Sequence, residues 1–398
     1  MVNFVDSLRQ RFNPSRAEKL PTGIYHYQSP PDDPLNYRLH LRLEKDGSGL
    51  LVINASTVLH LNQTAAEYAY HMVQRNSGEQ TAQEITKRYR VRLSTALEDF
   101  EGFRQRIETL ITTPDLDPVT FLDFERHEPY SDAVSAPYRL DCALTYRLPD
   151  HAPPGMAPDK RVERELTTGE WKQIIDQAWQ VGIPHIIFTG GEPTLRDDLV
   201  ELIKYAEDNG QVTGILTDGL RLTDTNYLDQ LLQAGLDHAM VILQPNEQHT
   251  WESLASFAYW AETLEEDIFI AAHLTITQQN ATQVFHLMDK LAEGGVSAIS
   301  LSESDPSLSE TLQDARSYAD SRDLPLIWDL PVPYSNMNPV ALELEAEEQP
   351  LPKGSGVGWL YIEPDGDVLP GQGINEVVGN MLEDDWDHIW EMTLRYIK

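Results

Sequence analysis

Cysteine is nearly absent from this chain, which has one, Cys142, among 398 residues. One thiol excludes an internal disulfide framework, and by itself it cannot build a thiolate metal site, which normally takes about three or four sulfurs. Alternation within "YRLDCALTY" places Cys142 on the same strand face as Leu140 and Leu144. We therefore predict a buried structural thiol.

Basic residues are scarce. The chain carries 30 Lys and Arg against 64 Asp and Glu, which gives a formal net charge of -34. Such a charge repels nucleic-acid phosphates and anionic lipid surfaces. We therefore predict no nucleic-acid partner, and we expect partners that are neutral or basic.

Long hydrophobic runs and common catalytic motifs are missing. No apolar run approaches the roughly 20 residues that span a bilayer. The first residues place Phe4, Val5, Leu8 and Phe12 at helical spacing, unlike a signal-peptide core. We predict a helix over residues 1–19 and a cytoplasmic protein without a membrane partner. Walker loops, G-x-G-x-x-G, G-x-S-x-G and H-E-x-x-H are absent, which leaves other standard chemistries without their minimum parts.

The sequence divides into three folded parts. Residues 20–111 contain three short strands between 37 and 62 and then three helical patterns, which predicts a winged-helix-like domain. The aperiodic, proline-containing residues 112–137 are predicted to be a linker. Residues 138–330 alternate apolar strands with amphipathic helices, the rhythm of an α/β fold with a parallel sheet closed partly or fully into a TIM-like barrel. A small module follows at 331–398.

Four motifs in residues 138–330 resemble the radical S-adenosylmethionine (SAM) family in order and spacing. The stretch "LTYRLPDHAPPGM" stands where that family carries a Cys-x3-Cys-x2-Cys loop, and "FTGGEPTLRDDL" resembles its Gly-Gly-Glu motif. The stretches "ILTDGLRLT" and "TITQQN" resemble its third-strand and fifth-strand motifs. The resemblance implies a partial (β/α)6 barrel. Beside it, 20–111 resembles PqqD-like peptide-recognition domains, and "PDGDVLPGQGINEVVGNMLEDDWDHIW" resembles the SPASM extension.

The departures from the family concern its metal ligands. Aligning the cysteine loop places Leu148, Ala152 and Gly155 at the three ligand positions, and Gly371 stands at a SPASM cysteine. In the family, thiolates hold a 4Fe-4S cluster that binds and cleaves SAM. These four side chains have no lone pair to offer, so we expect no 4Fe-4S cluster and no cofactor. Asp150 and His151 in the same loop would make at best a weak site for a different metal.

The resemblance also implies a residual SAM site. In the family the Gly-Gly-Glu turn engages SAM. The corresponding residues here, with the third-strand motif, are Gly190, Gly191, Glu192, Thr217 and Asp218. Two interpretations stay open: retained SAM binding, or a strand-to-helix turn inherited from an active ancestor. Ile242 and Gln244 stand where the family often has a Ser and an Asp, and Asp218 replaces a common Asn, which weakens the first interpretation.

The PqqD-like resemblance implies a peptide site. In such domains a peptide joins the sheet edge and lies against a helix. The corresponding residues here are Thr57, Val58, Leu59, His60, Leu61 and Asn62, with Lys87 and Arg88 on the helix. We predict that Leu59 and Leu61 pack inward. Although the chain as a whole is acidic, the basic helix that carries Lys87 and Arg88 could attract carboxylates, so we predict that residues 20–110 alone bind a short acidic leader peptide. Proline at Leu59 or Leu61 is expected to weaken binding more than any change at Glu192.

Three hypotheses for function follow. The first is a degenerate radical SAM/SPASM protein that has lost its cluster and binds peptides or forms complexes in a peptide-modification system. The second is a cluster-free enzyme or SAM-binding protein that uses Glu192 and Asp218 at the barrel mouth. The third is a regulatory subunit of an active radical SAM homologue.

Overall fold

The computed structural model describes residues 19–30, 33–55, 57–113, 116, 121, 134–150, 162, 164–264, 268–322, 324–327 and 354–397. The predicted N-terminal helix, apart from residue 19, and the positions of His151, Ala152 and Gly155 lie outside these ranges. The chain divides into two compact units, Met1–Ala136 with Gln180–Pro184, and Pro137–Trp179 with His185–Lys398.

The first unit contains a four-stranded antiparallel sheet in the order β1-β2-β3-β4. The strands are β1 Gly23–Gln28, β2 Arg38–Leu43, β3 Gly49–Ile53 and β4 Thr57–Leu61. The helices are α1 Gln63–Val73, α2 Gly78–Arg88 and α3 Leu93–Thr112. The three strands and three helices predicted from the sequence are present, and β1 is an addition. Its sequence GIYHYQ is short and lies between prolines, so it gave no clear strand pattern.

Side-chain caps set the helix starts of this unit. The Asn62 side chain accepts a hydrogen bond from the N–H of Ala65 at 3.0 Å, which begins α1. Ser77 and Gln80 form a capping box at the start of α2. In β4, Leu59 and Leu61 are buried in the core while His60 is exposed, as the predicted alternation requires.

The second unit contains a nine-stranded sheet in the order β10-β9-β8-β7-β6-β5-β11-β12-β13. Strands β5 to β10 are parallel and adjacent in chain order. They are β5 Arg139–Thr145, β6 His185–Gly190, β7 Val212–Thr217, β8 His238–Ile242, β9 Phe269–Ile276 and β10 Ala298–Glu303. All six lie within residues 138–330, where the sequence predicts apolar strands that alternate with amphipathic helices.

A helix follows each of the six parallel strands, which completes six βα units. The helices are α4 Thr168–Val181, α5 Leu199–Asn209, α6 Thr225–Gln233, α7 Gln248–Leu264, α8 Val284–Glu293 and α9 Ser309–Ser321. Leu216, Met240 and Ala271 pack together on one face of the sheet, which we call the inner face. A capping box begins α4, because the Thr167 N–H donates to Glu170 Oε2 at 2.8 Å and the Glu170 N–H donates to Thr167 Oγ1 at 3.4 Å.

The C-terminal residues extend this sheet. Strand β11 Trp359–Ile362 pairs in parallel with β5, and β12 Asp367–Leu369 and β13 Gly379–Asn380 continue antiparallel. Helix α10 spans Trp386–Tyr396. Within the predicted range 331–398, the described residues thus form three short strands and a final helix. Among the helices that the structure describes, none is long and apolar enough to cross a membrane.

Candidate functional site

The Gly-Gly-Glu turn lies where the chain leaving β6 meets the chain leaving β5. The N–H of Gly191 donates to the Thr145 carbonyl oxygen at 2.7 Å, and the N–H of Glu192 donates to the Arg147 carbonyl oxygen at 2.9 Å. A Cβ atom on Gly190 would lie 2.1 Å from the Thr145 carbonyl oxygen, and one on Gly191 would lie 2.2 Å from that of Arg147. The glycine pair is therefore required for close backbone packing, whether or not a ligand binds there.

The buried Glu192 carboxylate accepts four hydrogen bonds from the protein itself. Its Oε1 accepts from the N–H and the hydroxyl of Thr194 at 3.0 and 2.6 Å, and from the Thr217 hydroxyl at 2.8 Å. Its Oε2 accepts from the N–H of Asp218 at 2.7 Å. Because these donors follow β6 and β7, Glu192 joins the ends of the two strands. The structure thus brings together all five residues of the predicted residual SAM site.

Burial raises the pKa of Glu192 to about 7, and the nearby Asp218 carboxylate acts in the same direction. The hydrogen bonds from Asp218, Thr194 and Thr217 oppose this shift. A buried carboxyl with this pKa exchanges its proton near neutral pH. It is a proton-binding group whose acceptor oxygens already have partners within the fold.

Substitution of Glu192 by Gln is expected to change how stability depends on pH. The folded-state pKa lies above the ordinary value of 4.5, so the native state binds this proton more tightly, and its contribution to stability declines as pH rises from 4.5 to about 7. The contribution is at most roughly 3 kcal/mol. Urea unfolding of both proteins from pH 5 to 8 should show that the difference in unfolding free energy between wild type and Glu192→Gln falls with pH.

The control for this experiment is Glu252→Gln, which changes an exposed carboxylate in the same unit. Its difference from wild type should stay constant over that pH range. A constant difference for Glu192→Gln as well would contradict the proton uptake assigned to Glu192.

A buried arginine that the sequence analysis did not single out braces the same edge of the sheet. Arg196 donates to the carbonyl oxygens of Leu144 and Leu166 at 3.2 and 3.0 Å. It also binds both oxygens of Asp198, at 2.8 and 2.7 Å. Arg196 and Asp198 follow the Gly-Gly-Glu turn in "EPTLRDD". An arginine two positions before an aspartate is the only feature of the sequence that could have predicted this ion pair. Their contacts assign Arg196 a structural role.

Leu148 is the residue that the sequence analysis aligned with the first of the three cysteines in the family loop. It is half-buried and packs against a cluster formed by Ala143, Tyr146, Tyr361 and Leu369. The Tyr146 hydroxyl beside it donates to Glu363 Oε1 at 2.9 Å. The surroundings of Leu148 are therefore aromatic and aliphatic, without a thiol. Asp150 is exposed.

Cys142 does not supply the missing thiolate. It is fully buried in β5, in register with Phe188 of β6 and Ile362 of β11, and precedes the loop. Burial, with a smaller effect of Asp141, raises the pKa of its thiol well above the usual value. A thiol that resists ionisation is a poor metal ligand. The predicted burial of Cys142 is confirmed.

Gly371, which the sequence analysis aligned with a SPASM cysteine, lies in a closely packed turn. A Cβ atom there would lie 2.4 Å from Ser355 Oγ and 3.2 Å from Ile374 Cδ1. The Ser355 hydroxyl donates to the Pro370 carbonyl oxygen at 2.8 Å. The space for a cysteine side chain is thus taken by Ser355. Together with Leu148 and Cys142, this donor set does not fit an iron–sulfur cluster.

The residues of the predicted peptide site lie in the first unit. Strand β4 is the terminal strand of its sheet. Arg88 is committed to an ion pair with the buried Glu67 at 2.9 Å, and the Tyr89 hydroxyl donates to the same carboxylate at 2.6 Å. Lys87 lies 2.6 Å from Glu84 in an exposed pair. The predicted helix cations therefore have acidic neighbours, so the attraction they exert on an acidic peptide is reduced.

The sequence of the second unit is related to a known superfamily. Residues 142–265 match the family model of the Radical SAM superfamily. The PqqA peptide cyclase of Bradyrhizobium diazoefficiens is 31% identical over 172 residues, which cover 40% of this chain and 44% of that protein. The chain therefore matches less than half of the length of this relative.

Solved structures of SuiB from Streptococcus suis share the fold. The structure bound to S-adenosylmethionine has a TM-score of 0.58 and 18% identity, and covers 92% of this chain and 88% of SuiB. The structure bound to precursor peptide SuiA has a TM-score of 0.58 and 17% identity, and it also covers 92% of this chain and 88% of SuiB. The parallel α/β unit is a radical SAM fold.

Proposed function

We propose that this protein is a radical SAM relative that binds a precursor peptide and performs no radical chemistry, as a pseudoenzyme of a peptide-modification system. The observation that carries the proposal is the packing of Leu148 against tyrosine and leucine side chains at a family cysteine position. A cluster there would require thiolates in place of this apolar contact. The loss of ligands removes the cluster chemistry and leaves the peptide-binding parts of the chain intact.

The peptide partner is supported by two relatives. One is named for a peptide that it cyclises, and SuiB has been solved with its precursor peptide. In this chain we propose that residues 20–111 are a PqqD-like domain and that a leader peptide adds to the edge of β4 as a further strand. Main-chain hydrogen bonds would supply the affinity. We propose that 331–398 is a SPASM-like module, with the linker at 112–137.

The proposed absence of a cluster predicts the result of reconstitution. After anaerobic incubation with iron and sulfide, the desalted protein is expected to stay colourless, because the chain offers one buried thiol. Iron content and visible absorbance measure this directly. Roughly four iron atoms per chain with broad visible absorbance would refute the proposal. The PqqA peptide cyclase, reconstituted in parallel, tests whether the procedure loads a radical SAM enzyme.

SAM calorimetry separates the first proposal from the second hypothesis, a cluster-free enzyme or SAM-binding protein. The four hydrogen bonds that engage Glu192 within the fold favour a structural turn, so little or no heat of SAM binding is expected. Saturable binding that Glu192→Gln weakens would support the second hypothesis. A regulatory subunit of an active radical SAM homologue would instead alter that enzyme's turnover in a mixture.

The peptide-binding part is tested by selection. A displayed library of roughly 30-residue peptides is selected on the full chain, and hydrogen exchange is measured with each peptide that binds. Protection is expected in β4 and in helix α2, which carries Lys87 and Arg88. Protection confined to the second unit would place the recognition site elsewhere and refute this part of the proposal.

The cytoplasmic location and the absence of nucleic-acid and membrane partners stay predictions from charge and composition.

A further inference from the structure

Two adjacent parallel strands carry a block of polar side chains on the inner face. His273 of β9 is in register with Ser300 of β10, and Thr275 is in register with Ser302. Two residues earlier, Ala271 lies among the apolar residues of the inner face. Side chains alternate along a strand, so the four polar residues continue this face toward the carboxyl ends of the strands.

The imidazole of His273 lies between hydroxyl groups on both sides. Its Nδ1 is 3.0 Å from Ser300 Oγ, and its Nε2 is 3.1 Å from Ser302 Oγ and 3.2 Å from Thr275 Oγ1. His273 is fully buried, whereas Ser302 and Thr275 are half-buried. When the Nδ1–H donates to Ser300 Oγ, Nε2 can accept a hydrogen bond from the hydroxyl of Ser302 or of Thr275, whose two oxygens lie 3.1 Å apart.

Burying these polar side chains costs desolvation free energy, which apolar side chains at the same positions would not. An apolar pair in place of a buried imidazole and its hydroxyl partners would fill the same inner face without desolvating polar groups. Burial lowers the pKa of His273 to about 4, so the ring is neutral at neutral pH and its unprotonated nitrogen can accept a hydrogen bond from a neighbouring hydroxyl. The carboxyl ends of parallel strands are also where such folds place their chemistry.

We propose that Ser302 is a nucleophile, activated by His273, that transfers acyl groups from small uncharged activated esters. The Ser302 oxygen attacks the ester carbonyl carbon while its proton moves to His273 Nε2. The carbon–oxygen bond to the alcohol breaks, and the alcohol takes that proton as it leaves. Water then attacks the Ser302 ester, His273 accepts a proton from the water, and that proton returns to Ser302 as the carboxylic acid departs.

The orienting group on His273 limits the substrate class. Ser300 is a hydroxyl, whereas the acyl-transfer triads have a carboxylate that stabilises the imidazolium, and its loss costs about 10⁴ in rate. Amides with poor leaving groups are therefore excluded, and activated esters remain. The net charge of -34 disfavours anionic esters. This activity goes beyond the proposed peptide binding and depends on none of its residues.

A fluorophosphonate probe tests the nucleophile on the full chain. Wild-type protein is expected to gain one adduct by intact mass, mapped to Ser302 by peptide sequencing. Ser302→Ala should lose the adduct, and His273→Asn should label about 100-fold more slowly. Ser307→Ala, an exposed serine after the same strand, is the matched control and should label normally.

Circular dichroism and urea unfolding establish that each variant is folded. If His273→Asn is unfolded, Ser300→Ala serves as the second variant. Its Ser302 is expected to be labelled more slowly than in wild type, because the hydroxyl that orients His273 is lost. Labelling of wild type at another residue, no labelling at all, or labelling of Ser302 at equal rates in folded wild type and the folded His273→Asn or Ser300→Ala variant would each overturn the proposal. Peptide binding is unaffected by any of these outcomes, so the two proposals fail separately.

Discussion

Replacement of Gly190 by alanine is expected to destabilise the second unit by about 3 kcal/mol or more. The new Cβ atom would lie 2.1 Å from the Thr145 carbonyl oxygen, a backbone atom that cannot turn away. Gly190 also has a φ of 125°, which an L side chain rarely adopts. Urea unfolding of wild type and variant, followed by far-UV circular dichroism, measures the loss.

The matched control is Gly169→Ala in the first turn of α4, where the nearest atom to the added Cβ is Thr167 Oγ1 at 4.0 Å. This exposed helical position should be neutral or gain up to about 1 kcal/mol. Unchanged stability in Gly190→Ala, with loss of a bound ligand instead, would show that the glycine serves ligand contact and not backbone packing.

Of two adjacent proline substitutions in β4, Val58→Pro and Leu59→Pro, one is expected to weaken peptide binding at least about tenfold while the fold is kept. The N–H groups of neighbouring strand residues point to opposite edges, so one proline removes an N–H that faces β3 and the other an N–H that faces outward. Loss of one main-chain hydrogen bond, with the clash of the proline ring, accounts for about 1.4 kcal/mol or more.

Fluorescence anisotropy with a labelled peptide from the selection measures the affinity, and circular dichroism reports the fold of each variant. Glu192→Gln is the control and should bind the peptide normally, because Glu192 belongs to the other unit. Equal affinity in both folded proline variants, or full affinity after deletion of the first 110 residues, would contradict strand addition at β4.

Local sequence was sufficient to predict most elements of the second unit. The six parallel strands are apolar over most of their length, and each is followed by an amphipathic helix, a pattern that one strand or one helix carries within itself. The capping box of Thr167 and Glu170 was equally visible, since its two residues are three positions apart. Strand β1 was not predicted, because its extended structure depends on pairing with β2 and not on a pattern within its own six residues.

The sequence predicted only part of the candidate site. The motif order gave Gly190, Gly191, Glu192, Thr217 and Asp218 as neighbours, and the cysteine count limited the metal chemistry. The sequence did not show that the glycines accommodate the backbone after β5, or that Thr194, Thr217 and Asp218 supply the donors to Glu192. These contacts join different strands, so they exist only after the sheet has formed.

The sequence by itself therefore determined the acidic charge, the presence of a single thiol and the order of strands and helices in the second unit. The tertiary structure decided which polar groups meet. It paired Arg88 with Glu67 across two helices, and it brought His273 against Ser300 and Ser302 through the parallel register of β9 and β10. Residues 27 to 29 positions apart become hydrogen-bonded only because neighbouring strands align their carboxyl ends.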